Sequence, residues 1–417
     1  MSKTNWSGIT SNAQQKKFPT RIAIGLSICA FCWVAAYLGA VGVLLPARIA
    51  EIDGANKAAI IALNSTVSML VATLANIVIG ALSDLTRCKF GRRTPWIWLG
   101  SVGSLVSLFM LSQVTTATML VVIWAIYQIF LNAIIAPLLA TISDRISPQF
   151  RGSAASSYAL GIGVGTGLGQ IIGAQFLGSV SAGFMVLAVL TAFAGPIASI
   201  FFLERSSIDK PRQAFDASLF LNNFMFPRHN ARDYYLALLG KFLIMLAKFA
   251  VQGYLLYILT DYMLLDKSST SRYLSLTATI IMFTGIGMAL LSGPIADKLK
   301  RVKLPVIVSA LLIAVGVLIP FFSREPLAIV LYAIIAGLGL GAFNAVDQAL
   351  NIAVLPNPDS AAKDLGILNL ANTGGQIAGP LLAAAVITIF GYHMLFVMAS
   401  ASALLAVCAF AAIRRVR

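Results

Sequence analysis

The chain is 417 residues long, 59% hydrophobic and only 11% charged. Soluble domains carry about 25% charged residues, so most of this surface has to meet lipid rather than water. A net charge of +15 does not mark a nucleic-acid binder here, because the basic residues fall in short bursts between long apolar runs and not on one face of a polar domain.

About 20 apolar residues cross a bilayer. Reading the apolar runs between charge clusters and Pro or Gly breaks predicts twelve spans. They lie near residues 22–45, 58–82, 95–113, 118–142, 153–177, 182–203, 235–259, 272–295, 304–322, 327–350, 365–389 and 392–412. The first run, about 24 residues, is too long for the apolar core of a signal peptide, so it is read as helix 1. Lys and Arg orient the chain. With the amino terminus inside, 23 of the 30 basic residues fall in cytoplasmic segments. Arg48, Lys57, Lys267, Arg272 and Arg324 fall outside, and Lys241 and Lys248 lie within a span. That asymmetry is the positive-inside pattern. The expected fold class is an all-α membrane protein of twelve transmembrane helices in two six-helix bundles, both termini cytoplasmic. Its parts are a tail (1–21), a first bundle (22–203), a central cytoplasmic loop (204–234), a second bundle (235–412) and a short tail (413–417).

Taken in chain order, helix 1 carries Trp33 and Tyr37, and a C-x-x-C formed by Cys29 and Cys32 that lies inside an apolar run. That setting favours packing over redox chemistry. Helix 2 ends Gly80-Ala-Leu-Ser-Asp84, and a basic loop with Arg92 and Arg93 follows. Helix 4 has Trp124, Gln128 and Asn132 at i, i+4, i+8, with Tyr127 beside them. Such aromatics and amides suit a polar solute in a cavity, or serve as glue between helices. Helix 5 is rich in glycine from Gly161 to Gly173, which lets helices approach closely. In the central loop a short amphipathic piece near Phe215–Phe226 fits the membrane surface.

The second half holds the intramembrane charges, which are functional by default. Lys241 and Lys248, seven apart on helix 7, share a face that Gln252 extends. On helix 10, Asn344, Asp347, Gln348 and Asn351 follow i, i+3, i+4, i+7 spacing. Lys248 lies about 13 residues in from the cytoplasm, roughly 20 Å, and Asp347 about 20 residues in from the outside, roughly 30 Å. Asp347 is therefore nearer the level of Lys241, and these two are expected to pair. Helix 8 ends Gly293-Pro-Ile-Ala-Asp297, again before a basic loop. Helix 11 repeats the amide pattern with Asn369, Asn372, Thr373 and Gln376.

The endings at Asp84 and Asp297 match, as do Asn132-Ala133 on helix 4 and Asn344-Ala345 on helix 10. Six-plus-six repeats of this kind build a class of secondary transporters. The stretch Gly80 to Ile97, GALSDLTRCKFGRRTPWI, resembles the loop between helices 2 and 3 of the major facilitator superfamily. Its long form is similar to that of the glycoside–pentoside–hexuronide and sucrose/proton symporters. Val346 to Pro380 resembles a bacterial branch near them. Leu85 replaces the basic residue that usually follows the Asp, and helix 2 lacks the intramembrane Asp of sodium-linked members, which argues against sodium coupling.

The resemblance implies that helices 1, 4, 7 and 10 line a central cavity. Lys248, Asp347, Lys241, Gln252, Asn344, Gln348, Gln128, Asn132, Trp124, Tyr127, Trp33, Tyr37, Asn372 and Gln376 are its candidate lining. It also implies a cytoplasmic gate built from Asp84, Arg92, Arg93 and Asp297. The implied activity is transport of a small polar solute, a sugar or sugar acid, with protons, by a monomer in the inner membrane. Efflux of a drug or metabolite by proton antiport is the alternative within transport. An intramembrane enzyme or lipid scramblase is the alternative outside it. His229 and His393 are the only histidines and there is no P-loop, so no catalytic site, metal or cofactor is expected.

Overall fold

The computed structural model describes residues 10–209, 227, 231–299, 302–355 and 361–414, and gives no account of the side chains of 289, 290, 292–299 and 361–363. The amphipathic piece expected at 215–226 lies outside these residues. No strand occurs among the described residues. The long helices are α1 (Thr20–Ile52), α2 (Lys57–Leu85), α3 (Thr94–Leu111), α4 (Ala117–Arg145), α5 (Arg151–Gln175) and α6 (Val180–Phe202). They continue with α7 (Arg232–Gln252), α8 (Lys267–Leu299), α9 (Lys303–Phe322), α10 (Pro326–Ala353), α11 (Ala361–Phe390) and α12 (Tyr392–Ala411). Ten of these are long and apolar enough to cross a membrane. The other two, α5 and α8, stand where the fifth and eighth spans are expected; the glycines and serines of α5 lower its hydropathy without shortening it.

Helix ends deviate from the sequence reading in instructive ways. The first helix runs past residue 45 to Ile52 through a π-helical segment, Ala40–Leu44. The seventh stops at Gln252, turns, and ends in a second π segment, Ile258–Tyr262. Single π turns inside helices re-aim the side chains that follow. Hydropathy does not register them, because the residues remain apolar.

By contact, the chain forms two compact units, Met1–Leu44 with Leu70–Phe215, and Leu45–Met69 with Asp216–Arg417. In the first unit α1 packs on α5 along a four-residue glycine stripe. A Cβ on Gly161 would lie 2.1 Å from the Ser27 carbonyl oxygen, and one on Gly169 2.2 Å from that of Ala35. Gly173 meets Gly39 in the same way. Backbone-to-backbone packing of this kind replaces the hydrophobic drive that lipid removes. The second unit repeats the device between α7 and α11, where a Cβ on Gly375 would sit 2.4 Å from Met245 Cβ and one on Gly379 2.9 Å from Leu246 O.

Large apolar side chains stay exposed in rows. On α2 these are Leu63, Leu70, Leu74, Val78 and Leu82. In water such a row would be an aggregation hazard; in hydrocarbon it is the required exterior.

Candidate functional site

In the first unit the basic loop folds around two acids on α2 and α4 and a third just past the end of α6. Gly91 takes φ +93°, and a Cβ there would overlap the Glu204 carboxylate. Glycine is thus required both for the turn and for the approach. Leu203, left-handed at φ 42°, ends α6 and turns Glu204 toward the loop. The Glu204 carboxylate accepts from the backbone N–H groups of Arg92 (2.9 Å), Arg93 (2.9 Å) and Thr94 (2.8 Å). It thereby caps the start of α3, where unpaired N–H groups and the helix dipole favour an anion.

The side chains of both arginines converge on Asp144 of α4, Arg92 at 2.7 Å and Arg93 at 2.9 Å. Arg93 also reaches Asp84 at 2.5 Å, and Arg92 approaches it at 3.8 Å. The expected bonds from Arg92 and Arg93 to Asp84 are present, but Asp84 is the half-exposed partner and Asp144 the partly buried one. Asp144 and Glu204 were not singled out from the sequence. They lie 51 and 111 residues from Arg93. The available signal was that two arginines in one short loop need more than one acid. Asp297 lies on α8, and its side chain is outside the described residues.

In the same unit, several turns along α4 from Asp144, stand the aromatics and amides of α1 and α4. Tyr37 stacks on Trp124 (centroids 6.1 Å, planes 18° apart), and Trp124 contacts Tyr127 at 4.8 Å. Trp124, Tyr127 and Gln128 are buried, and Trp124 Nε1 has no hydrogen-bond partner among the described residues. Asn132 is occupied otherwise: its Oδ1 accepts from Asn76 Nδ2 at 3.0 Å and its Nδ2 donates to Gln128 O at 2.8 Å. This residue ties α4 to α2, the gluing role. Trp33 joins a separate apolar cluster with Cys29 and Cys32. Both cysteines are free and buried, and the Cys29 thiol donates to Ala194 O at 3.5 Å.

The second unit holds the buried ion pair. Lys241 Nζ lies 2.6 Å from Asp347 Oδ2, the pairing that helix depth predicts. Asn351 Nδ2 donates to the same oxygen at 2.9 Å. The other oxygen, Asp347 Oδ1, is buried and has no partner among the described residues. Lys248, two turns further along α7, is partly buried, with its Nζ 4.9 Å from the Phe249 ring centroid and no carboxylate within ion-pair distance among the described residues. Gln252, Asn372 and Gln376 are likewise partly buried, while Asn344 and Gln348 are exposed. Gly375 and Gly379 seat α11 against Met245 to Ala250, which brings Gln376 to the level of Lys248.

A further pair escaped the sequence reading. Lys57 Nζ lies 2.5 Å from Asp261 Oδ2, which also accepts from the Tyr392 hydroxyl at 2.9 Å. Lys57 covers the Tyr257 ring at 4.6 Å. The π segment sets Asp261 out of helical register, so spacing alone could not find it. No cluster of His, Cys, Asp or Glu suited to a metal occurs among the described residues.

Comparison with known proteins fits this architecture. The family model described as Major Facilitator Superfamily matches residues 22–255 and 237–417. The chain belongs to the major facilitator superfamily. It is a transporter rather than an enzyme, and a multi-pass membrane protein. Solved structures of similar fold include the nucleoside transporter NupG, at 16% identity and TM-score 0.70, covering 94% of this chain and 98% of that one. They include a bacterial homologue of the human lysosomal transporter Spinster, inward-facing and occupied, at 14% identity and TM-score 0.71, covering 97% and 98%. A mutant of the peptide transporter POT in complex with sulfate gives 15% identity and TM-score 0.72, covering 94% of each chain. No curated protein matches the sequence.

Proposed function

We propose that this superfamily member is a proton-coupled symporter of a small polar solute, working by alternating access as a monomer in the inner membrane. Its substrate is a sugar or sugar-derived acid, in keeping with the resemblance of its helix 2–3 loop to the glycoside–pentoside–hexuronide and sucrose/proton symporters. The observation that carries the coupling is Asp347: buried, held on one oxygen by Lys241 and Asn351, and without a hydrogen-bond partner on the other among the described residues.

A carboxylate taken out of water is costly unless paired, and so is the lysine that pairs it. Binding a proton on the open Oδ1 removes the charge that holds Lys241. The pair then cannot persist unchanged, and a state with Lys241 turned to another anion becomes favoured. Lys248 supplies a second positive charge beside Gln252 and Gln376, suited to a carboxylate on the solute, with amides for its hydroxyls. The incoming acid supplies the negative charge that the proton removes, so the net charge of the site is unchanged when the two enter together.

The test is a thermal-shift screen of the purified protein with sugars, sugar acids, other organic acids and amphiphilic drugs, then flux in proteoliposomes with and without a pH gradient. The reading expects stabilisation by a sugar acid, uptake driven by an inward proton gradient, and loss of both substrate stabilisation and uptake in Lys248→Met. Flux indifferent to the gradient would refute the coupling, and wild-type substrate binding in Lys248→Met would refute the lysine's role.

A further inference from the structure

The segment before α1 is bound to the turn between α4 and α5 by contacts that the transport reading does not use. Thr10 donates to the carbonyl of Asp144 twice, from its backbone N–H at 3.0 Å and from its hydroxyl at 3.2 Å. Gln15 bridges the turn, donating from Nε2 to Arg145 O at 3.2 Å and accepting on Oε1 from Ser147 N–H at 2.8 Å. Gln149 donates back, from its backbone to Asn12 Oδ1 at 3.4 Å and from Nε2 to Gln15 O at 2.9 Å. Phe18 closes the contact edge-on to Phe150, with ring centroids 5.8 Å apart.

These bonds answer a local need. The last carbonyls of a helix have no partner within it. Of those at the end of α4, Asp144 and Arg145 are supplied from this segment, while Ser143 O and Ile146 O take Arg151 at 2.8 and 3.2 Å. Among the described residues, Asp144 is held by both the segment and the basic loop. Its carbonyl takes Thr10, and its carboxylate takes Arg92 and Arg93.

We propose that residues Thr10 to Phe18 form a clasp that sets how readily the basic-loop network opens, acting through Asp144. With the clasp in place the end of α4 is fixed, so the carboxylate presents both oxygens to the two guanidinium groups. With it removed the last turn of α4 frays, and Arg92 and Arg93 lose their shared anchor. The proposal rests on the reading of that network as a gate only for its consequence in transport; the coupling itself is a property of the first unit alone.

The chain carries its own reporter. Cys88 lies in the basic loop, partly exposed, its N–H held by Ser207 Oγ at 3.0 Å and its carbonyl by Gly91 N–H at 3.2 Å. Cys29 and Cys32 are buried, and Cys408→Ser removes the exposed competitor. Maleimide labelling of Cys88 is followed in full-length protein, in a deletion of residues 2–17, in Gln15→Ala, in Asp144→Asn, and in the deletion combined with Asp144→Asn. No substrate is needed, so the result is separable from the fate of the transport reading. The deletion is expected to raise the labelling rate about tenfold and Gln15→Ala by about threefold, as losing a few partly buried hydrogen bonds would. The double variant should label no faster than Asp144→Asn alone, because both changes act on one anchor. An unchanged rate in both the deletion and Gln15→Ala would overturn the clasp. Multiplying effects in the double variant would overturn its route through Asp144.

Discussion

Two charged clusters, one in each unit, solve opposite problems. Around the basic loop, two arginines share three acids, and backbone N–H groups take much of the remaining bonding. Around Asp347, one lysine faces one aspartate in a buried site with a single amide beside them. The first arrangement spreads each charge over several partners near an aqueous edge, so no single loss strands a charge. The second concentrates everything in one bond, so protonating one atom changes the state of the whole cluster. Redundancy suits a closure that has to hold; a solitary pair suits a switch.

The largest effect separating the two should come from Asp347→Ala, which leaves Lys241 buried and unpaired. It should cost about 3–5 kcal/mol, read from denaturant or thermal unfolding in detergent. Adding Lys241→Met should recover most of that loss, and a double variant as unstable as the single would break the contrast. Next comes Glu204→Ala, which orphans the backbone N–H groups at the start of α3, worth about 1–3 kcal/mol in the same assay. Smallest is Asp84→Asn, at about 0–1 kcal/mol, since Asp144 still holds both arginines and the Asp84 side chain is 56% exposed. If Asp84→Asn proved costlier than Asp347→Ala, the distinction between shared and solitary charges would be lost.

Sequence alone reached the elements whose signal is local. Long apolar runs gave the spans. Helix depth gave the Lys241–Asp347 pair. What it missed depends on chain reversal. Asp144 and Glu204 reach the loop from helices far along the chain, and each sits at a helix end where an acid is unremarkable. Asn132 sits on the helix face predicted from spacing, yet its role is set by Asn76 on α2, a partner that spacing within α4 cannot reveal. Asp261 needed the π segment to bring it to Lys57. Trp33 stands one turn from Tyr37 on the same helix but packs in a different cluster, because its neighbours come from other helices and spacing within α1 cannot reveal them.

Asp347 is the proposed proton-binding group. Asparagine there keeps the size and the hydrogen bond but carries no titratable charge. In proteoliposomes, Asp347→Asn should exchange substrate at equal pH on both sides yet fail to accumulate it against an inward proton gradient that drives wild type. Accumulation in Asp347→Asn equal to wild type under the same gradient would contradict that role.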